Sequence, residues 1–384
     1  MLKATSALLP VYAQLPVHPV SGKGSWLTDA EGQHWLDAYG GHAVAATGHC
    51  HPRVVAAIAE QAEALLFYST ALPHPIREKL ATAIVAHCPP SLRKVFLVNS
   101  GAEANENALH LARKVTGRQR FVSIEGGWHG RTAATLAVTD GEKYMAGARR
   151  AGMPLSLKVP WNDPATLLSA VDDTIAGVIV EPVQGLTGAR DLPVELLQAA
   201  RTACDRAGAL LIFDEVQCGV GRCGAFTAAE SYGVTPDLLT LAKGLASGLP
   251  ISAVVTTDAV AALIKSGDLG STFGGGPVPC AAALATLAVI DDEKLIENAI
   301  TVGNHLRDGG LALGPKKVIA TQGRGLLLGL RLHRPAVEIQ TAMLRHQIIT
   351  GTSSDPQVLR LMPPLSFSIP EAELLLAALA QVLS

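Results

Sequence analysis

The sequence predicts an α/β protein built on a mainly parallel β-sheet. Short apolar segments alternate along the chain with helical patterns, which is typical of strands joined by crossover helices. Two of these segments, 210–213 and 238–242, are bounded by polar or glycine residues, as strands buried on both faces are. Each is followed by a charged residue, Asp214 and Lys243 respectively. We therefore expect a ligand site at the carboxyl ends of the strands.

The N-terminal part predicts a hairpin followed by a first helix. Residues 25–28 and 34–36 flank a turn at 29–32, where Asp, Ala, Glu and Gly follow one another. A helical pattern then runs over 54–66, directly after Pro52. This part has no core of its own, so we expect it to pack with another part of the chain.

The middle of the chain predicts the sheet, and its end predicts a second domain. After about residue 276 the alternation gives way to two long helices, at 280–295 and 297–313, and to short strands near 317–332. We predict a large domain over 46–275 and a small α+β domain formed by 1–45 and 276–384. The predicted strands of the large domain lie at 95–98, 121–124, 177–180, 210–213, 238–242 and 252–255, with a helix over 102–115.

Size, charge and cysteine use exclude several classes of protein. The 384 residues are 48% hydrophobic and 17% charged, enough for a large core. A net charge of -2 favours neither a nucleic acid nor a membrane surface as partner. We find no convincing signal peptide, and no apolar run reaches the roughly 20 residues that span a bilayer. The six cysteines contain no CxxC pair and the histidines no metal-ligand spacing, so we expect a reduced cytoplasmic protein without a metal.

Asp214 and Lys243 carry the strongest chemical signal. A charge beside a core strand is costly unless it is paired or used. An amine in this place suits covalent attachment to a carbonyl compound, and a carboxylate suits pairing with a protonated ring nitrogen. Pyridoxal phosphate requires both groups. The pair therefore predicts pyridoxal 5'-phosphate as cofactor.

Two further motifs have both a functional and an ordinary interpretation. Ser100, Gly101 and Ala102 lie between a strand and a helix, where a helix N-terminus favours an anion; the alternative is a capping box of Ser100 with Glu103. Trp128 and Arg131 follow the strand 121–124. They suit stacking on a ring and binding of a carboxylate, or else a half-buried tryptophan beside a solvated arginine.

The remaining candidates give weaker signals alone. Glu181 ends a strand and is a candidate carboxylate near the cofactor, although Pro182 and Gly185 also predict a simple turn there. Gln217 follows Asp214 and is uninformative by itself. Ser271 and Thr272 lie in a glycine-dense loop that suits a phosphate, and Arg360 precedes a rigid Pro-Pro turn, where a solvated arginine is the default.

In their order along the chain, these segments resemble the class III (subgroup II) aminotransferases, and most of all the acetylornithine group within that class. The run 211–219 and the later Lys243 are similar to the signature of that family, and the similarity extends from 48–52 to Arg360. The resemblance implies fold type I of the pyridoxal-phosphate-dependent transferases, with a mainly parallel seven-stranded sheet in the large domain. It also implies a homodimer with shared active sites and no membrane or nucleic-acid partner.

The resemblance assigns a role to each candidate. Lys243 would carry the cofactor and move the substrate proton, Asp214 would keep the ring nitrogen protonated, and Trp128, in a place usually held by Phe, would stack on the ring. Thr272 would reach the phosphate of the neighbouring subunit. The cofactor site would comprise Ser100, Gly101, Ala102, Trp128, Glu181, Asp214, Gln217, Lys243 and Thr272, and the substrate site Arg131 for the α-carboxylate of an acylated ornithine, Ser271 beside it, and Arg360 for glutamate.

Two local features bear on the substrate. Residues 39–44 resemble the Gly-Gly-Ile-Ala-Val of the acetylornithine group, and Gly41 aligns with a tyrosine of ornithine aminotransferases, so free ornithine is disfavoured. Leu186 departs from the family pattern, because the family has there a glutamate that pairs with the arginine matching Arg360 when no glutamate substrate is bound.

The implied reaction is transfer of the ω-amino group of N2-acetylornithine to 2-oxoglutarate, as in arginine biosynthesis. Succinylornithine, 4-aminobutyrate and carrier-bound lysine stay open as donors. An aminomutase is disfavoured by Arg360, and a catalytically silent scaffold by the intact Lys243 and Asp214.

Overall fold

A seven-stranded sheet lies at the centre of the computed structural model, which describes residues 7–11 and 13–384. Six of the strands run parallel, and only Ser252–Thr257 is antiparallel to both of its neighbours. The predicted mainly parallel seven-stranded sheet is therefore confirmed. Its spatial order is Leu92–Val98, Ser252–Thr257, Leu238–Leu241, Leu210–Asp214, Ile175–Val180, Arg120–Ile124 and Leu157–Val159.

The central strands are apolar throughout because helices cover both faces of the sheet. In Leu210–Asp214, Leu211 and Phe213 enter one hydrophobic cluster, while Ile212 enters the cluster on the other face. The alternation of side chains along a strand requires an apolar residue at every position when both faces are buried. This arrangement places all the parallel strand ends on one edge of the sheet.

The two ends of the chain meet in a smaller sheet. The predicted hairpin is confirmed as the strands Trp26–Asp29 and His34–Asp37, and the second of these pairs in parallel with Ile348–Ile349. Pro19–Lys23 completes this sheet. A third sheet has the order Val318–Arg324, Leu327–Leu332, Val358–Leu361 and Gly351–Thr352. The division into domains at 46–275 stays a prediction.

Helices and short turns connect these strands. None of the helices in the described part of the chain is long and apolar enough to cross a membrane. The short strands Val183–Gln184 and Arg190–Asp191 pair with each other, and Gly40–Ala43 forms one turn of left-handed backbone. The helices are Pro52–Ala64, Pro75–Ala86, Gly101–Thr116, Ala133–Val138, Glu142–Arg150, Pro164–Ala170, Val194–Ala207, Ala228–Tyr232, Asp258–Ala261, Pro277–Asp292, Leu295–Ala312, Ala336–Met343 and Ile369–Val382, with 3-10 turns at Lys243–Ala246 and Leu344–His346.

Candidate active site

A cavity of about 810 Å³ opens beside the carboxyl ends of the parallel strands. Its position agrees with the expectation from the two charged residues that follow core strands. Ser271 and Thr272 are not part of its lining within this one chain. The other predicted site residues all line it: Ser100, Gly101, Ala102, Trp128, Arg131, Glu181, Asp214, Gln217, Lys243 and Arg360.

Asp214 is a buried carboxylate held by three donors. It is the last residue of the strand Leu210–Asp214 and is 2% exposed. Its Oδ2 accepts hydrogen bonds from Asn105 Nδ2 at 2.7 Å and from His129 Nδ1 at 2.8 Å, and its Oδ1 accepts one from the backbone N–H of Val216 at 3.1 Å. Several donors stabilise an ionised carboxylate in a site that excludes water.

Asn105 and His129 were not predicted as site residues from the sequence. Asn105 also donates to the carbonyl of His129 at 2.9 Å and accepts from Thr240 Oγ1 at 2.7 Å. It therefore connects the loop that contains His129 with the strands that contain Asp214 and Thr240. A polar residue on the buried face of the helix Gly101–Thr116 is the signal that predicts such a contact. His129 lies inside the motif that was singled out for Trp128 and Arg131, but only the fold brings it to Asp214.

Lys243 lies two residues beyond its strand, because the strand is one residue shorter than the predicted 238–242. The strand finishes at Leu241, and Lys243 begins a 3-10 turn with a left-handed φ of 44°. Burial lowers the pKa of Lys243, and the carboxylates of Asp214 and Glu181 partly oppose that shift. A lysine in left-handed backbone costs roughly 1–2 kcal/mol, so the surrounding structure imposes this conformation.

Glu181 joins two loops at the cavity wall. It directly follows the strand Ile175–Val180 and accepts from the backbone N–H groups of Trp128, at 2.7 Å, and Gly185, at 3.1 Å. Burial, together with the nearby Asp214, raises the pKa of Glu181 to about 8. Both interpretations of this residue therefore apply, since it shapes a turn and also faces the cavity.

The helix Gly101–Thr116 begins at the cavity wall. Ser100 Oγ accepts from the backbone N–H of Glu103 at 3.1 Å, so Ser100 caps the helix. The predicted capping box is wrong in its second half, because Glu103 Oε2 accepts from the N–H of Asn99, at 2.9 Å, and not from that of Ser100. The N–H groups of Gly101 and Ala102 make no hydrogen bond to any part of the chain that the structure describes. A helix start with free N–H groups favours an anion such as a phosphate.

Arg131 stacks on aromatic rings and is not simply solvated. Its guanidinium carbon lies 5.1 Å from the centre of the Trp128 ring and 5.7 Å from that of Tyr144. The two rings meet edge to face at 4.7 Å. Arg131 is exposed at the mouth of the cavity. Stacking of this kind fixes the plane of a guanidinium and leaves its N–H groups available for a carboxylate.

Arg360 is buried, so a solvated arginine, the default expectation at this position, is wrong. It lies in the strand Val358–Leu361 and is 7% exposed. Its Nε donates to the carbonyl of Thr352 at 2.6 Å, Nη1 to that of Gly185 at 3.0 Å, and Nη2 to the Tyr39 hydroxyl at 2.8 Å. Burial lowers the pKa of Arg360, yet a guanidinium stays charged at neutral pH.

Ser271 and Thr272 lie in the glycine-dense loop outside the cavity lining. Ser271 Oγ accepts from Asn99 Nδ2 at 3.1 Å and donates to Glu103 Oε1 at 3.0 Å. Thr272 is exposed. Gln217 lines the cavity, and its Nε2 reaches the carbonyl of His42 at 3.5 Å. The predicted roles of these three residues stay predictions.

The residues brought together fit pyridoxal 5'-phosphate. The cavity combines a half-buried amine for the aldehyde, a buried carboxylate for the ring nitrogen, and free N–H groups at a helix start for the phosphate. Among the described residues there is no group of three His, Cys, Asp or Glu side chains placed to hold a metal ion. The amine, the carboxylate and the helix N–H groups are the donor set that an organic phosphate cofactor requires.

Comparison with known proteins agrees with this donor set. The family model of class-III aminotransferases matches residues 10–383. An acetylornithine aminotransferase of Methanocaldococcus jannaschii is 40% identical over 97% of this chain and 95% of its own length. One from Streptomyces coelicolor is 42% identical over 95% of this chain and 90% of its own. The crystal structure of an ornithine aminotransferase from Toxoplasma gondii is 30% identical, with a TM-score of 0.91 over 98% of this chain and 92% of that one.

Proposed function

The chain belongs to the class III aminotransferases, and we propose on that premise that it transfers the ω-amino group of N2-acetylornithine to 2-oxoglutarate. The products are N-acetylglutamate 5-semialdehyde and glutamate, as in arginine biosynthesis. The chain is an aminotransferase whose cofactor is pyridoxal 5'-phosphate. Its substrates are an amino acid and a keto acid.

The choice of reaction rests on the two arginines that line the cavity. The cavity that holds the cofactor residues is also lined by two arginines in different settings, Arg131 exposed at the mouth and Arg360 buried in the wall. A transaminase binds two carboxylate substrates in turn in one site, and guanidinium groups bind carboxylates bidentately. Arg131 suits the α-carboxylate of a long donor whose amine reaches Lys243, and Arg360 suits glutamate.

The residues of the chain divide the chemistry between them. Bound pyridoxal phosphate supplies an electron sink that weakens the C–H bond beside the transferred nitrogen. Lys243 would hold the cofactor, and its Nζ, with a lowered pKa, can take up that proton and return it on the other carbon. Asp214, fixed by Asn105 and His129, would keep a proton on the ring nitrogen of the bound cofactor.

A homodimer with shared sites is part of this proposal. Phe67 and Phe273 are exposed and pack against each other at 5.1 Å between ring centres, beside exposed Thr272. Leu66 and Leu72, close to Phe67 in the sequence, are exposed as well. Contiguous exposed apolar surface marks an interaction site, and Thr272 would lie at its edge facing the partner subunit.

We also propose a cytoplasmic location, which the six unpaired cysteines, five of them buried, support.

A second donor class is favoured by Leu186. This residue lines the cavity next to Gly185, whose carbonyl accepts from Arg360, and an apolar side chain cannot neutralise the guanidinium. Arg360 therefore stays available to the carboxylate of a short ω-amino acid such as 4-aminobutyrate. We expect such donors to react with lower efficiency than acetylornithine.

The test is the amino-donor range of the purified holoenzyme. Acetylornithine, succinylornithine, ornithine and 4-aminobutyrate are each mixed with enzyme in the absence of a keto acid, and the change in cofactor absorbance gives the rate of one half-reaction. We expect the acylated ornithines to react fastest, and Leu186→Glu to reduce the rate with 4-aminobutyrate. If 4-aminobutyrate reacts fastest in the parent, acetylornithine is not the main donor.

A further inference from the structure

Arg360 is a buried cation without an acidic partner in the described part of the chain. Its three hydrogen-bond partners are the carbonyls of Thr352 and Gly185 and the hydroxyl of Tyr39, all of them neutral. Leu186 adds only an apolar side chain to the wall. A guanidinium has five N–H donors, so those not used by these contacts stay available to a ligand in the cavity.

The hydroxyl of Tyr39 links Arg360 to His42. Arg360 Nη2 can only donate, so the Tyr39 oxygen accepts that bond. The same oxygen lies 2.9 Å from His42 Nδ1, within hydrogen-bond distance. Burial raises the pKa of Tyr39, which keeps the phenol protonated. Partial desolvation, helped by the nearby Arg360 cation, lowers the pKa of His42, which favours the neutral imidazole.

An unusual backbone turn places His42 against Tyr39. All four residues of Gly40–Ala43 have left-handed φ values between 57° and 65°. A Cβ at Gly40 would come within 2.7 Å of the carbonyl oxygen of Met362, so that position requires glycine. His42 and Ala43 adopt the left-handed conformation although they carry a Cβ. This conformation is disfavoured for such residues and persists only where the surrounding structure enforces it. The result is an edge-to-face contact of the His42 and Tyr39 rings at 4.8 Å.

We propose that Tyr39 and His42 are positioning residues that hold Arg360 as a permanent carboxylate site. Tyr39 is not part of the cavity lining, so it acts through Arg360, and His42 orients the Tyr39 hydroxyl from the mouth of the cavity. An acidic partner would hold the guanidinium but cancel its charge whenever the substrate carboxylate is absent. A neutral hydroxyl holds the same group and leaves its charge intact.

This inference deepens the proposed function, on which it rests, by naming a substrate class. Because Arg360 keeps its charge in both half-reactions, the cavity also accepts, beside the acylated ornithines, substrates whose carboxylate reaches Arg360 on either side of the exchange. Glutamate is such a substrate, because its carboxylate binds Arg360 when it donates its α-amino group. Among amino donors, short ω-amino acids are of this kind, while acylated ornithines depend on Arg131.

The experiment measures the affinity of the holoenzyme for glutarate, a dicarboxylate without an amine, by titration calorimetry. In Tyr39→Phe, the Kd for glutarate and the KM for glutamate should each rise about tenfold, because a hydrogen bond to a charged group has that order of effect. The kcat with glutamate and the half-reaction with acetylornithine should change far less. Glutaramide, the neutral analogue, serves as the probe for effects unrelated to charge.

Two further variants separate positioning from general damage. His42→Asn should weaken glutarate binding in the same direction but less, and asparagine tolerates left-handed backbone. His34→Asn is the matched control, since His34 is exposed, outside the cavity lining and bonded to Thr28; it should bind glutarate as the parent does. In a Leu186→Glu background, Tyr39→Phe should have little effect, because the new carboxylate holds Arg360.

Two results would overturn the inference. One is a Tyr39→Phe enzyme that binds glutarate as tightly as the parent. The other is an equal loss with glutarate and with acetylornithine, which indicates a structural role. If Tyr39→Phe does not fold, glutarate binding by His42→Asn decides the question instead. An enzyme that rejects acetylornithine but shows the expected glutarate affinities contradicts the proposed donor and leaves the role of Tyr39 intact.

Discussion

Burial determines the chemistry of the individual side chains in this site. Lys243 is an ordinary amine in the sequence, but the structure removes it from water beside Asp214 and Glu181. Desolvation favours the neutral amine, which is the nucleophilic and basic form. Asp214 has the opposite requirement, since it must stay charged, and Asn105, His129 and the N–H of Val216 satisfy it.

At Lys243, we predict that replacement by Ala removes the covalent attachment of the cofactor. The parent enzyme should show a visible absorbance band from the cofactor joined to Lys243, and borohydride should fix the cofactor to that residue. Lys243→Ala should lose both signals, because Lys243 supplies the amine that lines the cavity. Peptide mapping after reduction is the measurement. Label found on another lysine of the parent would contradict the assignment.

At Asp214, we predict that replacement by Asn damages chemistry far more than stability. Asparagine keeps the shape of the side chain but cannot hold a proton on the ring nitrogen, so kcat should fall about a thousandfold. The melting temperature of the apoenzyme should change little. Stopped-flow half-reactions and thermal unfolding measure the two effects separately. A rate within about tenfold of the parent would show that the charge on Asp214 is dispensable.

At the scale of elements, strand ends and one helix start define the site. The strands Leu210–Asp214 and Ile175–Val180 deliver Asp214 and Glu181, and the turn after Leu238–Leu241 delivers Lys243. The helix Gly101–Thr116 begins at the same edge. In a parallel sheet every crossover helix begins near the edge where the strands end, so anion-binding N–H groups and strand-end side chains meet there.

At this helix start, we predict that Gly101→Ala weakens cofactor binding. A Cβ at Gly101 would come within 2.6 Å of a Val216 methyl group, so the helix start or the strand end must shift. The dissociation constant for pyridoxal phosphate, measured by equilibrium dialysis, should rise severalfold. Adding Val216→Ala should restore part of the affinity, since it removes the colliding methyl. No change in Gly101→Ala would mean that the helix start does not require glycine.

At the scale of the whole molecule, one chain does not bring all the predicted site residues together. Ser271 and Thr272 stay outside the cavity lining, in an exposed loop beside Phe273. The exposed patch around Phe67 and Phe273 gives a second copy a surface to bury. A symmetric dimer would then present the loop of each subunit to the cavity of the other.

We predict that mixed dimers regain activity. Subunits with Lys243→Ala and subunits with Thr272→Ala should each be impaired as homodimers. In a heterodimer with shared sites, one site combines an intact Lys243 with an intact Thr272 from the partner subunit, so about half of the parent activity should return. Differently tagged subunits, purified as heterodimers, provide the measurement. Two equally impaired sites would indicate that each site is built from one chain.

The sequence by itself determined the sheet, the cofactor and most of the cavity lining. These features depend on local patterns, because apolar runs define buried strands and a charge after such a run is costly unless it is used. Asp214 and Lys243 were therefore found from their own neighbours, whereas Gly101 and Arg131 were chosen with the family resemblance. The antiparallel direction of Ser252–Thr257 was not, since the same apolar run suits either direction.

Only the tertiary structure decided which distant residues act together. The bonds of Asp214 to Asn105 and His129, and those of Arg360 to Tyr39 and Gly185, join positions that are far apart in the chain. Burial is equally a tertiary property, and it changed Arg360 from an expected solvated cation into a fixed one in the cavity wall. The physical reason is that hydrogen bonds and desolvation depend on distance in space, which spacing along the sequence does not encode.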